Sequence, residues 1–310
     1  MGGWSLGELA IAAFRRLPPY WRERLKILIG SAGHARGPLD DWRASRLAVG
    51  AKRPLLVARH LDGTITGLGW PSLSGKRVMD FGAGYLLAEP LALTLFGAAE
   101  VAAVDHTPLL RAKPFRDYAE QADWREVMDL ATVRLGRPWA DAWRERLRLA
   151  LATGRPDWFA DLGIRYRAPY DALTECSDDA TFDLIHSLST LEHLPPDRAP
   201  AIISRLGAMT RAGGAMYHYI HLEDHRDFAN PFAFLTAGSD YRSTDYDRRG
   251  NRLRAADWRE MFSAVPGFEW RFHEQRKDPA LLPASVAPEF AHHSPDDLRV
   301  AHLTAIGHRR

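Results

Sequence analysis

A chain of 310 residues with 46% hydrophobic and 26% charged side chains has an ordinary globular composition, with room for one large α/β domain with additions or two small ones. Its net charge of +2 does not make nucleic acid the expected partner, and its one cysteine, Cys176, excludes a disulfide framework and a thiolate-rich zinc site while suiting a reducing cytosol. No apolar run reaches the roughly 18 residues of a bilayer span, and the N-terminus lacks a signal peptide's succession of basic, apolar and small residues, so a cytoplasmic protein without stable membrane insertion is expected.

Helical patterning comes first. Leu6, Leu9, Ala10, Ala13, Phe14 and Leu17 recur at helical spacing before Pro18-Pro19, and a second helical stretch runs from Trp21 to Ile29, ending at Gly30. After a loop from Ser31 to Leu39, Asp40-Asp41 is placed to cap a helix from Trp42 to Val49. Residues 1–74 therefore form a helical N-terminal segment in which arginines such as Arg15, Arg16, Arg22 and Arg24 outnumber the acids. Three readings stand: a helical layer with a solvated basic face, a lid that brings cations to an anionic substrate, and an interfacial membrane helix.

From Lys76 the pattern alternates between strand and helix. Strand 1 is Arg77 to Phe81, the first helix Tyr85 to Phe96 and strand 2 Val101 to Asp105. Only helical patterning follows, with Leu109 to Met128 and Trp139 to Leu151 amphipathic, and Arg137-Pro138 and Gly154-Arg155-Pro156 as punctuation. A crossover needs only about a dozen residues. Residues 107–163 are thus a helical insertion, acting either in packing or homodimer formation or as a wall of the substrate pocket.

Strand 3 is Ile164-Arg165-Tyr166, strand 4 Thr181 to Ser187, and the next helix Asp197 to Met209. Arg211 to Gly214 is a turn into strand 5, Ala215 to Ile220; a helix from Ala256 to Ser263 and closing strands Gly267 to His273 and Val300 to His308 complete the pattern. Residues 75–310 thus predict a doubly wound, mostly parallel, seven-stranded Rossmann-like α/β sheet with helices on both faces.

The chemistry concentrates after the strands. Asp80-Phe81-Gly82-Ala83-Gly84 closes strand 1 with a Gly-x-Gly turn, and Asp105 closes strand 2 roughly twenty residues further on, the order of a βαβ unit that binds a nucleoside. In the dinucleotide pattern the third glycine is absent, with Leu87 in its place, which argues against a pyrophosphate on this helix terminus and hence against NAD or FAD.

With Asp171 before strand 4, Phe182 to Ser187 continuing to Leu191-Glu192-His193-Leu194, and the Arg211-Ala212-Gly213-Gly214 turn, the chain resembles class I S-adenosylmethionine-dependent methyltransferases over about Gly75 to Gly214. The resemblance implies S-adenosylmethionine as cofactor. Gly82 and Gly84 would pass close to its amino-acid part while Asp80 attracts the ammonium. Asp105 would bind the ribose hydroxyls, His106 would flank the adenine, Asp171 and the Ala172 amide would meet its edge, and Ser187 would lie below the methionine portion. The insertion after strand 2 is a departure from the family pattern.

Candidates for acceptor chemistry follow strands 4 and 5: Glu192, His193, His218, Tyr219, His221, Glu223, Asp224 and His225. Alternation in strand 5 sets His218 and Ile220 on one face and Tyr217, Tyr219 and His221 on the other. His221, at the strand end nearest the expected pocket, is the leading general base and His193 the second, since a histidine titrating near neutrality suits deprotonation of a hydroxyl or protonated amine. Each also reads as a structural histidine. His221 and His225 with Glu223 and Asp224 between them read as a metal set as well, but the family's metal-dependent members place their acids elsewhere, and no metal is expected.

Residues 221–254 form an acceptor-side loop with Tyr241, Tyr246, Arg248, Arg249, Arg252 and Arg254, whose arginines suit a carboxylate or phosphate, or simply a solvated loop. The stretch from His218 through Asn230-Pro231-Phe232 resembles bacterial methyltransferases of surface-glycan or secondary-metabolite clusters. The expected function is methyl transfer from S-adenosylmethionine to O or N of a small molecule. Two alternatives stand: intramolecular cyclisation of S-adenosylmethionine that releases methylthioadenosine, and a non-catalytic cofactor-binding subunit.

Overall fold

The computed structural model describes residues 53–175, 181–238 and 249–310. The expected helices within residues 1–52, together with Cys176, Tyr241, Tyr246 and Arg248, lie outside the described residues. Of the expected N-terminal segment, one helix is described, α1 at Arg53–Gly67.

The sheet comprises β1 (Arg77–Phe81), β2 (Glu100–Val104), β3 (Ile164–Arg167), β4 (Phe182–Leu188), β5 (Thr210–His221), β6 (Phe268–Arg276) and β7 (Val300–Arg309). Its seven strands run in the order β3-β2-β1-β4-β5-β7-β6, parallel from β3 to β5, with β7 antiparallel to both β5 and β6. This is the doubly wound, mostly parallel, seven-stranded sheet that the sequence pattern predicts. The strand order reverses between β1 and β4, so the crevice outside their carboxyl ends is where a ligand collects in such a sheet. Val78, Met79 and Asp80 in β1 and nearly all of β4 are buried, as central strands covered on both faces must be.

On one face pack α1, α2 (Ala88–Leu95) and the insertion, which folds as α3 (Ala112–Gln121), α4 (Arg125–Leu135), α5 (Arg137–Ala152) and a 3₁₀ turn at Trp158–Leu162. On the other lie α6 (Ala199–Met209) and α7 (Ala255–Ser263), whose Ile203, Trp258 and Phe262 meet Ile220 and Leu303. The insertion grips the first layer through specific bonds: Trp143 Nε1 donates to Thr94 Oγ1 at 2.9 Å, Trp139 Nε1 to Leu95 O at 2.7 Å, and Arg134 Nε to Asp62 at 2.5 Å. A smaller apolar cluster of Phe232, Phe234, Leu235 and Phe290 seals the far end.

Several boundaries differ from the sequence reading, and three of the differences have a visible cause. The first helix starts at Ala88 rather than Tyr85, because Leu87 takes a left-handed conformation (φ 43°) that prolongs the glycine turn. The expected helix from Leu109 to Met128 divides between α3 and α4 where Ala122 is extended. β5 begins at Thr210: Phe182 pairs with Thr210 and Leu184 with Ala215, so the Arg211 to Gly214 turn is an irregularity inside the strand rather than its approach.

Candidate active site

The glycine turn is fastened to β2. The amides of Gly82 and Ala83 both donate to Val104 O, at 2.8 and 3.0 Å, and the Gly84 amide donates to Asp105 Oδ2 at 2.9 Å. Gly82 and Gly84 have φ of 89° and 69°, a region that favours glycine. The other Asp105 oxygen accepts from the Thr107 amide at 2.9 Å, so this acid, one residue beyond β2, clamps the turn. Burial pushes the Asp105 carboxyl above its ordinary range, and the Thr107 and Gly84 amides oppose that rise.

Beside the turn lies a cavity of about 320 Å³ lined by Asp80, Gly82 to Leu86, Ala88, Glu89, Leu188 and Ser189. None of the insertion's helices lines it. Asp80 is buried, and its Oδ1 lies 2.8 Å from His186 Nδ1. Around Gly84 there is open space, whereas a Cβ on Gly82 would stand 2.2 Å from Thr190 Oγ1, so the loop after β4 is seated directly against Gly82. Tyr85, Glu89, Leu188, Ser189 and Thr190 were not singled out from the sequence; Glu89, an acid in the first turn after a glycine motif, was the legible one.

The remaining cofactor candidates are placed variously. His106 is exposed. Asp171 accepts from Arg198 Nη2 at 2.8 and 3.1 Å and from the Leu173 amide at 3.0 Å, and chiefly the Arg198 guanidinium holds its carboxyl below the usual range. Ala172 is buried behind it. Ser187 does not line the cavity: it is fully buried, with its Oγ 2.7 Å from His218 Nδ1, and Leu188 and Ser189 meet the cleft instead.

Where the segments after β4 and β5 converge, the histidines gather. His221 Nε2 lies 2.9 Å from Glu223 Oε2, and the His221 ring is 4.7 Å from His302 and 4.6 Å from His225. His193 lies in a 3₁₀ turn at Leu191–His193, its ring 5.0 Å from His225. Burial pushes the Glu192 carboxyl up to about 8 and the His225 imidazole down to about 3. The set read along the sequence does not assemble as read, because Asp224 turns away to Arg249, 2.5 Å from Nη2. Glu223 and His221 join His302 instead, while His225 joins Glu192 and His193.

The arginines expected to meet an anionic substrate are tied into the fold where they are described. Arg254 is fully buried, donating to the carbonyls of Leu222, Leu298 and Val300 at 2.8, 2.9 and 2.7 Å. Arg252 donates to Ala237 O and to Glu289 at 3.1 Å, and Arg249 is held by Asp224.

No family model and no curated protein matches the chain. Solved structures do match. A possible exported protein from Bordetella parapertussis is 17% identical, with 81% of this chain and 66% of that one covered and a TM-score of 0.42. Phosphoethanolamine N-methyltransferase 2 from Haemonchus contortus, in complex with S-adenosyl-L-methionine, is 13% identical over 81% of this chain and 52% of that one, TM-score 0.45. An S-adenosylmethionine-dependent methyltransferase from Mesorhizobium loti is 17% identical over 85% of this chain and 100% of that one, TM-score 0.44. The chain thus spans less than two thirds of the length of the first two. Likeness at this level is one of fold, not of chemistry.

Proposed function

We propose that this chain is an S-adenosylmethionine-dependent transferase that methylates O or N of a small molecule. The observation that carries the reading is the cleft between β1 and β4, where a glycine turn with open space at Gly84 stands beside the carboxylates of Asp80 and Glu89. Its donor set fits the cofactor: two acids suit an ammonium, and the bare backbone of Gly84 admits a ligand at contact distance. The volume of about 320 Å³ is at the lower end of small-molecule sites.

Bound S-adenosylmethionine supplies an electrophilic methyl group with its leaving group built in. The protein's part is to bind, orient and deprotonate. Asp80 and Glu89 would hold the ammonium, Asp105 would receive the ribose hydroxyls through lone pairs its two amide bonds leave free, and His106, Asp171 and Ala172 would border the adenine. Leu188 and Ser189 take the place first given to Ser187. His221, its Nε2–H held by Glu223, is the proposed base and would take the acceptor's proton at Nδ1.

Calorimetry of the purified full chain with S-adenosylmethionine and S-adenosylhomocysteine tests the reading. One binding event per chain is expected for each, and absence of heat from both would overturn it. Product analysis separates the chemistries: S-adenosylhomocysteine marks methyl transfer, methylthioadenosine would reassign the chain to cyclisation, and binding with neither product would make it a cofactor-binding subunit.

A further inference from the structure

Two histidine–carboxylate sets adjoin one another beyond β4 and β5, each offering three ligand atoms within 4.8 Å of one another: His221, Glu223 and His302, and Glu192, His193 and His225. Their carboxylates differ in one respect. Glu223 has polar partners on several sides, with His221 Nε2 at 2.9 Å, the Lys277 ammonium at 3.3 Å and His302 Nε2 at 3.4 Å. That carboxylate needs no further partner.

Glu192 is only 1% exposed, and neither of its carboxylate oxygens has a hydrogen bond. The amides of Glu192 and His221 and the hydroxyl of Ser189 are directed at the carboxylate, but only weakly: none meets the distance and angle of a full hydrogen bond. His225 Nε2 is likewise buried without a hydrogen bond, and it faces Glu192 Oε1 across 3.8 Å, too far for one. A buried carboxylate and a buried ring nitrogen that confront each other unsatisfied are costly, and native structures retain such groups where a further partner completes them. Two atoms bound at 2.0–2.2 Å to one tetrahedral ion stand about 3.4 Å apart, close to the separation seen here.

The backbone around this set is held independently of any ion. Glu192 O accepts from the Asn251 amide at 2.6 Å, and Asn251 Nδ2 donates to Leu191 O and Leu194 O at 3.2 and 2.9 Å, so the 3₁₀ turn bearing Glu192 and His193 is braced from the segment after β5. On the other side, the neighbouring Asp224 is paired with Arg249, which fixes the residue before His225. Braced ligands lose little entropy on coordination.

We propose that Glu192, His193 and His225 bind one divalent transition-metal ion of the zinc or ferrous class. Two imidazoles and one carboxylate are a ligand set such ions accept while keeping a position open for water or an oxygen of a substrate. Ser189, near Glu192, also lines the cleft, so an acceptor hydroxyl bound as the open ligand would lie next to the proposed methyl donor. Metal binding itself does not depend on the methyltransferase reading and is measured without the donor.

The test uses the full chain, stripped with a chelator and titrated with Co²⁺ by visible absorption and with Zn²⁺ by competition against a chromogenic chelator. One ion per chain is expected, with affinity falling at least about 100-fold in His225→Ala and in Glu192→Gln, beyond the 10–100-fold typical of outer-shell losses. His302→Ala should keep both stoichiometry and affinity. Melting temperatures without metal verify that the variants fold, and if Glu192→Gln does not, His193→Ala and His225→Ala decide the matter. No cobalt absorption and no zinc retention, or metal binding that survives these substitutions or is lost only in His302→Ala, would overturn the proposal.

Discussion

Asp80 and His186 are register partners on adjacent parallel strands, and their side chains meet at 2.8 Å between Oδ1 and Nδ1 with both residues buried. The acid of the first glycine motif is therefore anchored to the next strand of the sheet and reaches the cleft as part of a pair. His186 in turn stacks near Tyr217 and meets the edge of His60, so Asp80 is backed by a layer of aromatic and imidazole rings.

Asp105→Ala should weaken binding of S-adenosylhomocysteine and lower stability together. It leaves the amides of Gly84 and Thr107 without their acceptor, at about 1–3 kcal/mol for each one kept from water. Calorimetry and denaturant unfolding measure the two effects. Unchanged affinity with reduced stability would leave Asp105 as a clamp alone.

His221→Ala should reduce formation of S-adenosylhomocysteine by about 10²–10⁴-fold, the range of a lost general base, with donor affinity preserved. Single-turnover assays against a panel of small hydroxyl and amine acceptors provide the measurement. Full activity in the variant would remove His221 from the chemistry.

Arg254→Met should destabilise the fold by about 3 kcal/mol or more, because the carbonyls of Leu222, Leu298 and Val300 lose a fully buried donor. Urea midpoints report this directly. An unaltered midpoint would contradict the structural role assigned to this arginine.

Burial pushes the imidazoles of His60 and His218 down to about 3, from an ordinary value near 6.5. Both stay neutral in the folded state while the unfolded chain takes up protons below pH 6.5, so their contribution is complete above that pH and is lost as pH falls toward 3. Each group contributes a slope of up to about 1.4 kcal/mol per pH unit in that window. Unfolding free energies between pH 7 and pH 4.5 should fall accordingly, and His60→Phe, set among the rings of His186, Tyr217 and Tyr219, should show a shallower decline. An identical decline in wild type and variant would exclude His60 as a source.

Strands β1, β2 and β4 were legible because each is a short, mainly apolar run bounded by glycine or a charged turn, the imprint that buried central strands leave. The turn from Asp80 to Gly84 was legible as a local motif. Pairings made by the sheet were not: Asp80 meets His186 across 106 positions, and His302 stands opposite His221 only through the antiparallel register of β5 and β7. Period-two alternation assigned His218 and His221 to opposite faces but could not reveal that His218 is spent on Ser187. The arginines after β5 misled for a related reason, since composition cannot distinguish a guanidinium facing solvent from one closing three carbonyls.

Thr190 packs where a side chain on residue 82 would go, and two and three positions further along the same segment come Glu192 and His193. Any side chain introduced at residue 82 would therefore have to displace the threonine, and with it the start of the segment that carries the carboxylate and the first imidazole. Glycine at this position thereby lets the turn after β1 and the histidine-bearing segment stay in contact through three consecutive peptide units.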